Sequence, residues 1–242
     1  MYLATPDVAK SVATRIIQRV DLEGGKAVLP LIQFFQYMSV PQVYSKLINK
    51  LRETGQFYTP SSFVLAENVK QTCGVEQTIF TSLPQVLRDI SGSVVSLKNT
   101  FNGGYLYLHN ESSNPSTWFS PHKHVDLIHG MSELRKPRGL WEFMLVGDKM
   151  KIINVFSGVD LVDSNTLFEV ELVNDTEIRI RVAESENTDL IGKYLAGKTR
   201  NKGEQLTLAE FIDREDAHIE QLRWTATPGD KRAVPEMAQK CA

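Results

Sequence analysis

Two stretches of this chain read as copies of one another. Leu97-Lys98-Asn99-Thr100-Phe101-Asn102-Gly103 aligns with Ile152-Ile153-Asn154-Val155-Phe156-Ser157-Gly158. A leucine follows each in the same register, Leu106 and Leu161. Each copy then reaches a Leu-aromatic-Glu-apolar segment, Leu140-Trp141-Glu142-Phe143 and Leu167-Phe168-Glu169-Val170. A third, weaker copy opens at Ile178-Arg179-Ile180-Arg181-Val182, passes Leu190 and closes at Leu222-Arg223-Trp224-Thr225, before Pro228-Gly229. Fixed-period self-similarity constrains a fold more than any single motif, because each unit has an apolar face that it cannot bury alone.

The texture of the sequence changes at Ser93. After it, β-branched and aromatic residues alternate with polar ones between closely spaced turn residues, the pattern of short strands. Candidate strands are Val95–Leu97, Tyr105–Leu108, His124–Ile128, Trp141–Val146, Met150–Val155, Leu167–Val173, Glu177–Val182, Leu190–Leu195, Leu206–Ile212 and Leu222–Thr227. Before Ser93 the pattern is helical. Thr5-Pro6-Asp7 is a helix start, and Val8, Val12, Ile16 and Val20 form a stripe at spacing four that ends near Gly24-Gly25. Further helices are expected over 26–38, from Ser39 (a capping residue) through Val43, Leu47, Ile48 and Leu51, over 62–72, and over 76–90. Helices this short need tertiary packing, so they should form a bundle.

An apolar-x-Asn strand, a glycine turn, a leucine strand and a closing aromatic strand, in up to three copies, resembles the β-trefoil superfamily, which includes ricin-B-type lectins and fascin-like domains. The resemblance covers residues 93–229. It implies a six-stranded barrel capped by hairpins, with Trp141, Phe168 and Trp224 filling its floor. The second copy has room for about three strands instead of four. The Gln-x-Trp signature of the lectins is absent, the closing strands reading Gly-Leu-Trp and Leu-Arg-Trp, so no sugar-site residue carries over. A helical part joined to a trefoil is also similar in layout to the insect low-molecular-weight haemolymph lipoproteins. The expected fold class is thus α+β: a helical domain (1–91), a degenerate β-trefoil (92–229) and a flexible tail (230–242), the alternative being another antiparallel barrel or a sandwich.

Composition narrows the function. The chain has 242 residues, 42% hydrophobic and 23% charged, with a net charge of −2, so no global field draws it to nucleic acid. Basic clusters at Arg135-Lys136-Pro137-Arg138 and Lys198-Thr199-Arg200-Asn201-Lys202 sit beside acidic stretches. No apolar run is long enough for a membrane span. Two cysteines, Cys73 and Cys241, make no disulfide framework, and whether they are bridged stays open. The N-terminus lacks the pattern of a signal peptide. A secreted, monomeric protein is favoured over a cytoplasmic one.

Four histidines, His109, His122, His124 and His129, cluster between 109 and 129. His122-Lys123-His124 places two imidazoles on one strand face, and His122-Lys123-His124-Val125-Asp126 opens like the metal motif of metallo-β-lactamase-type hydrolases. The next residue of that motif would be His and is Leu127, so a solvated strand edge is the favoured reading and no metal or cofactor is expected. Gly192 to Thr199 matches the phosphate-loop spacing, but it is not flanked by a parallel strand and a helix. Acidic residues such as Glu184, Glu186, Asp189, Asp213, Glu215 and Asp216 read as solvated, and Cys73 as structural.

Aromatic residues give the binding expectation. Tyr105 and Tyr107 share a strand face, and Trp118 lies in the long segment 110–139, the largest insertion of the first copy. The expected function is therefore non-enzymatic: a binding protein that contacts carbohydrate or a protein partner through Tyr105, Tyr107, His109, Trp118, His122 and His124. The alternatives are a carrier or storage protein with an apolar cavity between helices and barrel, and a zinc-dependent hydrolase built on the His109–His129 cluster.

Overall fold

The computed structural model describes residues 5–20, 27–38, 43–54, 61–71, 82–92, 94–108, 125–128, 137–199 and 207–229. Among these residues, five α-helices come first: α1 (Pro6–Arg19), α2 (Val28–Met38), α3 (Tyr44–Glu53), α4 (Ser61–Gln71) and α5 (Gln85–Gly92). Eleven strands follow: β1 (Val95–Asn99), β2 (Tyr105–Leu108), β3 (Val125–Ile128), β4 (Trp141–Val146), β5 (Lys149–Asn154), β6 (Val159–Asp160), β7 (Leu167–Leu172), β8 (Glu177–Glu184), β9 (Tyr194–Thr199), β10 (Thr207–Ile212) and β11 (Trp224–Pro228).

Helix α1 begins as the sequence directs, with extended Thr5, Pro6 at its first position and Asp7 in its first turn. Its buried face is the expected one only in its second half, where Ile16 and Val20 pack half-buried against the core. Ala9, Ala13 and Ile17 are buried, whereas Val8 is 52% and Val12 41% exposed. Helix α1 packs on α3. Lys46 Nζ of α3 donates to Thr14 Oγ1 at 3.2 Å. Lys50 Nζ donates to the carbonyls of Ile17 (2.6 Å), Gln18 (3.2 Å) and Val20 (2.5 Å). One ammonium group thus serves three carbonyls at the C-terminal end of α1, where the helix dipole is negative.

The apolar set of α3 matches its spacing, since Leu47, Ile48 and Leu51 are fully buried. Of the helix expected over 76–90, residues 76–81 lie outside the described residues, 82–84 are not helical, and the described helix starts at Gln85. Pro84 sets the start: proline disfavours helical backbone in the residue before it, and its own carbonyl accepts from the Leu87 (3.1 Å) and Arg88 (3.2 Å) amides.

The strands divide into a ring and its hairpins. β1 pairs with β4, β4 with β5, β5 with β7, β7 with β8, β8 with β11, and β11 with β1, every pair antiparallel. The ring closes, so it is a six-stranded barrel. β2, β3, β9 and β10 form the hairpin layer, with β2 on β3, β3 on β10 and β10 on β9. Units one and three contribute four strands each (β1–β4 and β8–β11). Unit two contributes three (β5–β7), as its length implied. This is a degenerate β-trefoil following a helical part, not a simple up-and-down meander.

The barrel is filled by side chains. Strands β5, β7 and β8 alternate buried and half-buried positions, and Trp141 and Trp224 are fully buried, with Phe168 at 1%. Trp141 Nε1 donates to the Leu106 carbonyl at 3.0 Å, and Trp224 Nε1 to the Leu195 carbonyl at 2.9 Å. Phe168 holds the third equivalent place and needs no acceptor. Its ring stacks on Phe211, centroids 6.1 Å apart.

The helices adjoin this barrel through α5, which packs on β4 and β11. The Val86 amide donates to the Asp175 carbonyl, 3.0 Å, in the β7–β8 turn. Val86, Leu87 and Ile90 are no more than 2% exposed, and one hydrophobic core runs from α1 into the barrel.

Candidate binding surface

The turn after each repeat's first strand is built around one buried side chain. Asn99 and Asn154 are both 0% exposed. Asn99 Oδ1 accepts from the amides of Phe101 (3.2 Å) and Asn102 (3.4 Å). Asn154 Oδ1 accepts from those of Phe156 (3.1 Å) and Ser157 (3.4 Å). Each Nδ2 donates across the barrel wall, Asn99 to the carbonyls of Gln221 (2.8 Å) and Arg223 (3.2 Å), Asn154 to those of Arg138 (2.8 Å) and Leu140 (3.3 Å). Gly103 (φ 70°) and Gly158 (φ 66°) complete the turns in the left-handed conformation that glycine adopts at least cost. Their amides return to the Asn99 and Asn154 carbonyls, both at 2.9 Å.

In the third unit Val182 occupies the Asn place. The Gly192 amide donates to the Val182 carbonyl and the Val182 amide to the Lys193 carbonyl, each at 2.9 Å. A short 3-10 turn, Thr188–Leu190, is inserted between them. The third leucine of the repeat is therefore Leu195, not Leu190, and the strand begins at Tyr194.

These turns put aromatic rings outside. Phe101 is 45% exposed and Phe156 is 54% exposed, at the same place in the two repeats. The Arg138 guanidinium lies over the Phe156 ring, 4.7 Å from its centroid. Neither phenylalanine was singled out by motif, yet the aligned repeat carries the signal: an aromatic residue two places after the turn's asparagine, twice.

Of the expected binding residues, the structure describes Tyr105 and Tyr107. Both lie on β2, held in register with Ile128 and Asp126 of β3. Tyr105 is half-buried, with Lys98 Nζ 5.6 Å from its ring centroid. Tyr107 is only 9% exposed, so it packs and offers no open platform. His109, Trp118, His122 and His124 lie outside the described residues, as do His129, Cys73, Cys241 and the tail from 230. Among the described residues no cluster of His, Cys, Asp or Glu is placed to hold a metal. His218, exposed, instead opens a 3-10 turn, its amide donating to Gln221 Oε1 at 3.0 Å. Among the described residues no helix is long and apolar enough to cross a membrane.

The Gly192–Thr199 match is not a phosphate loop. Gly197-Lys198-Thr199 does not open a helix but lies within the strand Tyr194–Thr199, antiparallel to β10. Lys198 Nζ pairs with Glu210 Oε2 at 2.8 Å, and Gly197 lies against the Asn99 side chain. Three of the six acidic residues are occupied with neighbours: Glu184 with Lys149 (3.0 Å), Asp213 with Lys193 (3.9 Å) and Glu186 with Asn165 (2.5 Å). A denser ladder covers β7 to β9. Arg181 pairs with Glu169 and reaches Glu171 (3.8 Å), and Tyr194 Oη donates to Glu171 Oε1 (3.1 Å). Burial first, then the Glu171 charge, raises the Tyr194 phenol above its ordinary value.

No protein-family model and no curated protein matches this sequence. Solved structures with a similar outline include the ricin B-like lectin of Macrolepiota procera, in complex with lactose, at 13% identity and a TM-score of 0.39, covering 57% of this chain and 96% of that one. An SDF2-like protein from Arabidopsis thaliana aligns at 12% identity and a TM-score of 0.40, over 58% of this chain and 97% of that one. The Rhizoctonia solani agglutinin aligns at 12% identity and a TM-score of 0.36, over 56% and 94%. The trefoil assignment stands on the closed strand pairing and the repeated turns, not on these likenesses.

Proposed function

We propose that this chain is a non-enzymatic binding protein that contacts carbohydrate or a protein partner through the surface of its first repeat, residues 105–139. One observation carries the reading. The barrel is pseudo-symmetric, yet the link between the hairpin strand and the closing strand differs sharply among units. Unit two passes from Asp160 to Leu167, whereas unit one runs from Leu108 to Trp141, with only β3 and a three-residue 3-10 turn among its described elements. An insertion that the scaffold does not need is where a rigid fold carries recognition. The barrel interior is occupied by its own side chains, which favours a surface site over an internal one.

On this reading Tyr105 is a half-exposed contact at the edge of the site, with Trp118, His109, His122 and His124 as further contacts from the insertion. The test is a screen of the full chain on a glycan array, with affinity capture of proteins alongside, and repetition with Tyr105→Ala and Trp118→Ala. Binding that both variants weaken about tenfold supports the proposal. Binding that neither variant changes places the site elsewhere. Native mass spectrometry separates the alternatives: a zinc-sized adduct argues for the histidine cluster, and a lipid-sized one for a carrier.

A further inference from the structure

We infer that Arg138 and Phe156 form a subsite for the acidic sugar of a carboxylated glycan, at the border of the surface proposed above and resting on that proposal. The guanidinium sits 4.7 Å from the centroid of a ring that remains 54% exposed. Both partners hang on one buried side chain. Asn154 Nδ2 holds the Arg138 carbonyl at 2.8 Å, and Asn154 Oδ1 holds the Phe156 amide at 3.1 Å. The backbones of the two residues are thereby fixed before any ligand arrives, which lowers the ordering cost of binding.

Arg138 has no carboxylate partner among the ion pairs of the described residues. Lys149, Lys151, Arg179, Arg181, Lys193, Lys198 and Arg223 of the barrel surface each have one, whereas Lys98, like Arg138, lies over an aromatic ring. An unpaired planar guanidinium is a fork for a carboxylate. An exposed ring beside it suits the C–H face of a pyranose. The two functions are adjacent, as they are in a single uronic-type sugar. An acidic peptide would bring carboxylates on a flexible chain and would have no use for the ring.

The equivalent turn supplies an internal comparison. Phe101 is exposed in the same place, but the residue whose carbonyl Asn99 holds is Gln221, and its side chain is already engaged by the His218 amide. The subsite thus exists in a charged version at unit two and a neutral one at unit one.

The test uses the full chain on immobilised oligosaccharides in matched pairs, each ending in a hexuronic acid or in the corresponding neutral hexose, with polyglutamate as a third probe. The wild type is expected to prefer the acidic member. Arg138→Gln is expected to remove that preference, by about tenfold or more, and Phe156→Ala to weaken both members. Phe101→Ala leaves the preference intact, and added salt reduces it. Equal binding of both members, or a preference that survives Arg138→Gln, overturns the subsite. If that equal binding still falls with Tyr105→Ala, the proposed function stands without it. Arg138-dependent capture of polyglutamate but of neither sugar overturns the carbohydrate assignment. Binding of no probe at all overturns the inference.

Discussion

Asn99 and Asn154 occupy equivalent places in two repeats and make the same set of bonds to the backbone, two accepted from the following turn and two donated across the barrel wall. Fully buried amides that serve several backbone groups at once are costly to remove, because every partner is left unsatisfied. Asn99→Ala and Asn154→Ala should each destabilise the protein by about 2–4 kcal/mol in urea denaturation. Because the two turns are separate, the double variant should be close to additive.

Gly197 is tied to the first of these turns. A Cβ there would fall inside the contact distance of Asn99 Cγ and Oδ1 and lie 2.9 Å from Asn102 Nδ2. Gly197→Ala should therefore cost about 2 kcal/mol or more. The diagnostic result is coupling: in an Asn99→Ala background the same substitution should cost much less.

Trp141 and Trp224 differ from Phe168 by an indole donor that each satisfies within the hairpin layer. Trp141→Phe leaves the Leu106 carbonyl without that partner and opens a small void, for an expected loss of about 2–3 kcal/mol by thermal unfolding. Phe168→Ala should cost about 3–5 kcal/mol, since only packing holds that position.

The face of α1 is open to a direct test. Val12→Glu should change stability by less than about 0.5 kcal/mol, because Val12 is 41% exposed. Ala13→Leu should cost about 1–3 kcal/mol, because Ala13 is fully buried. The reverse order would restore the Val8–Val12–Ile16–Val20 stripe as the packed face.

Asp89 on α5 has its carboxyl raised above the ordinary value of 3.8, mainly by burial, with Arg88 and Gln85 opposing. The folded state therefore holds this proton more tightly than the unfolded chain does. Its contribution to stability is complete below 3.8 and is lost as pH rises through the folded pKa. Asp89→Asn should flatten that part of the pH–stability curve, measured by thermal melts from acid to neutral pH.

The barrel was legible in the sequence where chemistry repeats. The pairing of Asn99 with Asn154 and of Gly103 with Gly158 fixed two turns, and the short second unit emerged as three strands. The third unit was blurred because Val182 stands where Asn stands elsewhere and a 3-10 turn separates it from Gly192. Leu190 thus looked like the register leucine, and β9 was placed too early. On α1, counting only large apolar residues hid the alanine row that packs. In the binding surface, Phe101 and Phe156 were visible as letters, but exposure depends on the turn that Asn99 and Asn154 build. The pairing of Arg138 with Phe156 joins residues from two repeats and has no local signature. Tyr105 and Tyr107 share a face as alternation requires, but alternation says nothing of how deeply Tyr107 is covered.

The most direct test of the central claim is amide hydrogen exchange on the full chain, with and without the strongest partner from the glycan and protein screens. The account predicts slowed exchange concentrated in residues 105–139 and at the Phe156 turn, with the helices unchanged. Protection confined to the helices, or exchange unchanged throughout residues 105–139, would contradict a binding surface on the first repeat.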